Sequence, residues 1–194
     1  MSNTNAPFGL RCVGSLSGND FRISQRKIQN GYNTSIYNGD AVVSASGYIT
    51  RFANGGAGIS GVVVGFAWLS KANGYYKWFP YYPASSTDPT GDIDCWIIDD
   101  PGAIFQVQAG ATPIALADIG KNVDIVADAG STTTGRSKEY VSSTYLGTTA
   151  TLPLKVTAIP GISTMDVFTD YSSGYNVIEV TFNDQSFKQT TGGF

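Results

Sequence analysis

Carboxylates crowd one short part of the chain and are the residues best suited to chemistry. Five of them fall within thirteen residues: Asp88, Asp92, Asp94, Asp99 and Asp100. A pair could act as the acid and the nucleophile of a glycosidase, and several together could bind Ca²⁺. However, "GDID" (91–94) lacks the spaced oxygen ligands of a calcium loop, and "DD" (99–100) directly precedes "PG". Aspartate there usually caps a turn, so we interpret the group as turn residues and leave a metal ion as the open alternative.

The other usual carriers of catalysis are missing. The sequence has no histidine, which excludes Ser-His-Asp and Cys-His catalysis and removes the commonest metal ligand. Its two cysteines, Cys12 and Cys95, are too far apart for a CxxC zinc site, and we expect free, buried thiols in a reducing cytosol. "NGGAGISG" (54–61) lacks the Lys-Ser/Thr end of a phosphate-binding loop. We therefore predict no enzymatic activity, no metal and no cofactor.

The densest aromatic cluster is "GYYKWFPYYP" (74–83), with six rings in ten positions. On an extended strand these side chains alternate between two faces. One face carries Tyr76, Trp78 and Tyr82, and the second carries Tyr75, Lys77, Phe79 and Tyr81. One aromatic face can cover a core, whereas a further aromatic face is typical of a protein interface. We predict the second face as an interface, with core packing and sugar stacking as alternatives.

Residues 1–20 are predicted to form an extended arm ahead of a single domain at 21–194. Pro7 directs the residue before it to an extended conformation, and Gly9 disfavours helix. Two apolar side chains of the arm pack either on the protein's own core or on a neighbouring molecule. In the second case, we expect removal of residues 1–11 to weaken binding without unfolding the domain. The candidate interface residues of the arm are Asn5, Pro7, Phe8, Leu10 and Arg11.

The remainder of the chain has the pattern of a β protein. Apolar and polar residues alternate at 104–109, 122–128, 154–159 and 177–182, as in half-buried strands. Continuous apolar runs at 61–69 and 95–99 indicate strands covered on both faces. Gly, Pro, Asn and Asp turn signals separate these segments, and 113–122 offers at most one helical turn. We predict an all-β fold, a sandwich or barrel-like single domain, with a long polar loop or hairpin at 130–149.

Composition restricts the partners. The net charge is −3 and the pI about 4.7, and the 12 Lys and Arg residues are scattered rather than grouped in a basic patch. This distribution argues against nucleic acid as a partner. No apolar run reaches the ~18 residues of a membrane span, so no membrane partner is expected. The first ten residues lack the features of a signal peptide, so we expect synthesis in the cytoplasm.

Eight segments in a fixed order carry a resemblance to a known family. They are NAPFGLR (5–11), IYNGDAVVSASGYI (36–49), ISGVVVGF (59–66), YYPASS (81–86), DDPGAIFQVQA (99–109), IGKNVDIVADAGSTTTGRS (119–137), TTATLPLKVTAIP (148–160) and IEVTFNDQSF (178–187). Together they cover most of the chain. They are similar to segments of tailed-bacteriophage capsid decoration proteins, also called cement or head-stabilising proteins. The chain departs from that family at Cys12, where proline is usual, and in the stretch 160–176, which is particular to this sequence.

The resemblance implies a structural protein without catalytic residues. Such a protein is made in the cytoplasm of a bacterial host and binds the outer surface of the assembled phage head, as part of the virion. Its implied partners are the major capsid protein, whose subunit seams it spans, and other copies of itself in a dimer or trimer. The alternative hypothesis is a carbohydrate-binding or host-attachment module on the virion surface, which would stack sugars on the aromatic rings. A carboxylate-dependent glycosidase is the third hypothesis.

Overall fold

The computed structural model describes residues 3–18, 20–160, 170 and 172–187. Within these residues the chain forms 14 strands and one 3₁₀ turn at Leu116–Asp118. The strands are β1 (Arg11–Ser15), β2 (Ile23–Ile28), β3 (Ile36–Tyr37), β4 (Ala41–Ala45), β5 (Tyr48–Arg51), β6 (Gly61–Leu69), β7 (Tyr76–Phe79), β8 (Tyr81–Tyr82), β9 (Ile93–Ile98), β10 (Ala103–Gln108), β11 (Asn122–Val126), β12 (Tyr140–Gly147), β13 (Leu154–Ala158) and β14 (Val177–Phe182).

Six strands form the first sheet, sheet A. Their order is β1-β10-β14-β13-β11-β12, and all neighbouring pairs are antiparallel. Strand β14 lies in the interior of this sheet, and the alternation of "VIEVTF" directs Ile178 and Val180 into the core, where both are fully buried. Strand β1 lies at one edge and pairs only with β10 among the described strands. Residues 11–15 of the predicted arm are therefore part of the domain's own sheet.

Six strands form sheet B: five follow the order β2-β9-β6-β4-β5, and the sixth, β7, pairs with β6. Strand β6 pairs with β9 along one edge, and its other edge is shared: Gly61 and Val62 pair with β4, whereas Phe66 to Leu69 pair with β7. The sheet curls so that β2 and β5 approach each other. A separate two-stranded ribbon, β3 with β8, joins Ile36 to Tyr82. Sheet B therefore has a barrel-like curvature, with the β6–β7 hairpin at one end.

The core has two parts. The larger part packs sheet A against the start of sheet B and includes Phe105, Phe182 and Leu10. The smaller part fills the inside of the curled sheet B and includes Phe66, Trp68 and Tyr82. Burying aromatic and branched side chains of this size contributes about 1.5–3 kcal/mol each before the entropy cost of folding. These two clusters make the sheets a rigid support for residues on their outer faces.

The predicted fold class is confirmed: the protein is all-β, with antiparallel sheets in a single domain. The predicted strands at 61–69 and 177–182 match β6 and β14 residue for residue, and the single short turn falls inside 113–122. Of the two alternatives predicted at 130–149, a loop or a hairpin, the loop does not hold for the second half, which is strand β12. There β12 pairs with β11 across a bulge, and Val141 is fully buried. The Ser and Thr content of that segment hides a strand that only pairing with β11 stabilises.

Candidate interface surfaces

The most exposed large aromatic residues of the predicted cluster lie on the outer face of sheet B. Strand β7 pairs with β6 so that Tyr76 lies opposite Leu69 and Trp78 lies opposite Ala67. Tyr76 is 54% exposed and Trp78 is 51% exposed. Tyr75, in the turn just before β7, is 55% exposed. We call Tyr75, Tyr76, Trp78, Leu69 and the neighbouring Trp96 the aromatic face.

The position of Trp78 depends on a glycine in the strand beneath it. A Cβ atom built on Gly65 would overlap the indole of Trp78, so the ring lies directly on the backbone of β6. On its other side Trp78 contacts Trp96 of β9, with 4.9 Å between ring centroids and 41° between ring planes. The two indoles therefore form a tilted pair rather than a flat platform. Gly65 and Trp96 were not among the predicted site residues, because "CWIID" indicated a strand covered on both faces.

A charged network borders the aromatic face. Asp94 of β9 accepts a hydrogen bond from the hydroxyl of Tyr76 and forms an ion pair with Lys27 of β2. Burial opposes ionisation of Asp94, but hydrogen bonds from Lys27, Tyr76 and Gln25 outweigh it and lower the pKa of the carboxyl. Burial and the bond to Asp94 raise the pKa of Tyr76 to about 12. The ring of Tyr76 is thus fixed in place and keeps its proton at physiological pH.

The assignment of faces within "GYYKWFPYYP" needs a correction. Phe79 was expected to face a partner, but it stacks on Trp68 in the core, with centroids 3.6 Å apart and planes 2° apart. Trp78 was expected to face the core and is instead exposed. The alternation does not continue through Pro80, since β8 leaves β6 and pairs with β3. Across that break Tyr82 is fully buried although Trp78, four residues earlier, is exposed.

The other two predicted residues of the second face lie near the core boundary. Lys77 is exposed at the end of the hairpin, and its Nζ lies 5.4 Å from the centroid of the Phe79 ring. Tyr81 is half-buried and stacks on Tyr37 of β3, with centroids 5.3 Å apart. These contacts give both side chains a role within this chain. Of the three aromatic residues on the second face, Phe79 and Tyr81 are partly buried and Tyr75 is exposed.

The arm is bound to its own domain along most of its described length. The amide nitrogen of Ala6 donates to the side chain of Gln108, whose own amide group donates to the carbonyl of Thr4. Leu10 donates its backbone N–H to Gly39 and is only 3% exposed within the larger core. The expectation that Leu10 could dock on a neighbour is therefore wrong, since it fills this chain's core. Asn5 and Arg11 are exposed and Pro7 and Phe8 are half-buried.

A buried ionic cluster of Asp40, Glu139 and Arg51 lies next to the arm and is hydrogen-bonded to it at Gly9. Asp40 and Glu139 are both fully buried, and both lie beside the guanidinium of Arg51, at 3.2 Å and 3.3 Å. The carbonyl of Glu139 accepts the N–H of Gly9, and its carboxylate accepts the N–H of Ala41. Burial raises the pKa of Asp40, and burial together with the Asp40 carboxylate raises the pKa of Glu139 well above its usual range. Two acids sharing one base this deeply retain a proton more readily than either would in water.

The five aspartates between residues 88 and 100 do not form one site; each makes separate structural contacts. Asp88 accepts hydrogen bonds from Trp68 and Ser70. Asp99 is fully buried and forms ion pairs with Arg22 and Arg26. The remaining members also bind neighbouring backbone or hydroxyl groups: Asp92 accepts from Asn30 and Tyr48, and Asp100 from Gly102 and Ser15. No group of three potential metal ligands occurs in the described part of the chain.

Both cysteines are free thiols. Cys95 is fully buried inside sheet B, and burial raises its pKa strongly. Cys12 is half-buried beside the arm, and burial raises its pKa as well. Neither is an activated nucleophile, because activation requires a lowered pKa.

The structure does not join the two predicted groups of interface residues into one groove. The described groove beside the arm is lined by Phe8, Leu10 and Arg11 but by none of residues 75–81. The chain thus has two separate candidate surfaces, the aromatic face on sheet B and the groove beside the arm.

Fold and surfaces define the class: an all-β protein of antiparallel sheets in a single domain, with an aromatic outer face. No protein-family model matches the chain, and neither a curated protein nor a solved structure matches it. Among the described residues, no helix is long and apolar enough to cross a membrane.

Proposed function

We propose that this protein is a capsid decoration protein that binds the outer surface of an assembled phage head and stabilises it across the seams between major capsid protein subunits. The observation that carries the proposal is the pair of half-exposed rings, Tyr76 and Trp78, fixed on the outside of a rigid sheet. Large aromatic side chains in a fixed geometry lose little entropy on binding and often dominate the energy of protein interfaces. The resemblance of the ordered segments to decoration proteins supplies the partner.

A protein that stabilises a shell by binding across its subunit seams needs no active site. A protein that binds the assembled shell but not free subunits stabilises assembly by mass action. When several modest surfaces engage at once, the second contact forms at high effective concentration, so the overall attachment is strong. Two separate surfaces on one rigid domain, multiplied in a dimer or trimer of the chain, fit that arrangement.

The direct test is co-sedimentation of the purified protein with empty expanded heads, compared with free capsid subunits. We expect saturable binding to heads and none to free subunits. The double variant Tyr76→Ala/Trp78→Ala should lose at least about tenfold in affinity. The matched control is Tyr145→Ala, which removes a 64% exposed ring from β12 in sheet A. If wild-type protein does not bind heads, the proposed function is wrong.

A carbohydrate-binding module on the virion surface is the second candidate. Exposed rings next to Asp94 and Lys27 resemble a sugar site, in which rings stack on the sugar and charged groups bind its hydroxyls. The 41° tilt between Trp78 and Trp96 means that this pair of rings does not form a flat surface for a sugar chain. A glycan-array signal that disappears in Trp78→Ala, together with unchanged head binding, would favour this candidate.

A further inference from the structure

A groove of about 300 Å³ opens between the arm and one end of sheet B. Its floor consists of Leu10, Val62 and Ile98, all buried core residues. One wall is the arm around Phe8 and the other is the start of β2 around Ile23. The size is at the lower end of binding pockets, which span ~300–1,000 Å³. It suits one or two side chains of an extended segment rather than a folded element.

The walls of the groove are apolar and incompletely covered. Cys12, Phe21 and Val64 pack against the larger core but remain only partly buried. Ile23, at the rim, is 47% exposed. The larger core therefore reaches the surface at this point, and contiguous exposed apolar area of this kind often marks a binding groove.

The charge at the rim has one sign. Arg11 and Arg136 line the groove and are exposed, and no carboxylate is among the described residues that line it. Neither arginine forms an ion pair with a described residue. The nearby Arg22, in contrast, is already engaged by the buried Asp99. The groove thus presents two available guanidinium groups in a chain whose net charge is −3, and arginine binds carboxylates with high geometric specificity.

The backbone beside the groove can accept a further strand. Strand β1, whose Arg11 and Cys12 line the groove, is the edge of sheet A and pairs only with β10 among the described strands. Edge strands have one row of backbone donors and acceptors outside the sheet's own ladder, and extended partners commonly add to them.

We propose that this groove binds an extended, acidic segment of a partner protein. One or two apolar side chains of the segment pack against the partly exposed Phe21 and Ile23, its carboxylates pair with Arg11 and Arg136, and its backbone runs beside β1. The identity of the partner rests on the proposed function: the segment belongs to the outer surface of the capsid shell.

The test uses the full chain and two fluorescein-labelled peptides, one alternating valine with glutamate and the other alternating valine with lysine. We expect the glutamate peptide to bind at least about tenfold more tightly by fluorescence anisotropy. Its NMR shift perturbations should cluster at residues 8–12, 21–23 and 136. Arg11→Glu/Arg136→Glu should abolish the preference, whereas Lys155→Glu, an exposed cation on β13 in sheet A, should keep it. Equal binding of both peptides, no binding, or perturbations elsewhere would overturn the proposal.

Head binding separates this proposal from the proposed function. If the charge-reversed protein still coats heads at wild-type affinity, the groove is not the shell contact although the function stands. If wild-type protein does not bind heads but binds the glutamate peptide, the proposal for the groove is supported and the proposed capsid function is wrong. If instead wild-type protein self-associates in solution and the charge-reversed protein does not, the occupant is a second copy of this chain, and an acidic segment of another partner is excluded.

Discussion

The indole of Trp78 lies directly over the backbone of Gly65, on the neighbouring strand of the same sheet. The absence of a side chain at Gly65 allows the ring to approach the sheet closely and to meet Trp96 on the next strand. A glycine beneath the ring therefore determines the orientation of a candidate interface residue.

Substitution of that glycine should displace the ring. In Gly65→Ala the new methyl group overlaps Trp78, and we expect a loss of about 1–3 kcal/mol in unfolding free energy because the indole must leave its position. Tryptophan emission should shift as its environment changes, and head binding should weaken. The control is Gly91→Ala, where an added Cβ meets no atom within 4 Å. A stable Gly65→Ala protein with unchanged emission would contradict this account of Trp78.

Stability should fall as pH rises, because of the buried acids. The pKa values of Asp40 and Glu139 are raised in the folded protein, so the folded state binds protons more tightly than the unfolded chain. Their contribution is complete below the unfolded pKa values of about 4 and is lost as the pH rises through the raised folded values. The lowered pKa of Asp94 acts oppositely, with its contribution lost as pH falls below about 4.

Urea unfolding at a series of pH values from 5 to 9 measures this slope. The chain has no histidine, and its two cysteines, whose pKa values are raised in the folded protein, contribute only at the upper end of that range. Glu139→Gln should flatten the slope, since the amide cannot ionise. Asp20→Asn, which neutralises an exposed carboxylate, should leave the slope unchanged. An equal slope in wild type and Glu139→Gln would show that Glu139 carries no such proton.

Removal of the Arg51 guanidinium, which contacts both Asp40 and Glu139, should strongly destabilise the protein. Arg51 is 14% exposed and neutralises charge between two fully buried carboxyls. Arg51→Met should destabilise the protein by roughly 3–5 kcal/mol, as expected when one partner of a buried ion pair is lost. Lys155→Met removes an exposed cation and should change stability by less than about 0.5 kcal/mol. Chemical denaturation of both variants at one pH compares them, and equal midpoints would refute the role of Arg51.

Truncation of the arm should affect folding, contrary to the expectation from sequence. Leu10 fills the larger core, so Leu10→Ala should cost about 2–5 kcal/mol, and deletion of residues 1–11 should lower the melting temperature. Phe8→Ala, at a half-buried position, should lower the unfolding free energy less than Leu10→Ala does. Binding experiments on the arm can therefore use Phe8→Ala, because this variant should stay folded. A truncated protein with wild-type thermal stability would mean that the arm does not contribute to the core.

Local pattern was sufficient for six of the fourteen described strands: β6, β9, β10, β11, β13 and β14. Strand β14 follows directly from the alternation of "VIEVTF", and β6 from an apolar run of nine residues, because the strand period of two is a property of the backbone. The short strands β3 and β8 could not be recognised, since two residues carry no period. Strand β12 was not predicted because its Ser and Thr residues are typical of a loop, and the pairing with β11 that makes it a strand is not visible in the sequence.

The sequence by itself determined the all-β class, the absence of histidine chemistry and the presence of an aromatic segment. Only the tertiary structure decided which rings of that segment face outward, because Pro80 ends the pairing with β6 and the alternation restarts in β8. It also decided that Leu10 belongs to the core and that Asp40, Glu139 and Arg51 meet, although they are far apart in sequence. Contacts between distant segments depend on strand order, and strand order follows from packing of whole sheets rather than from any local run of residues.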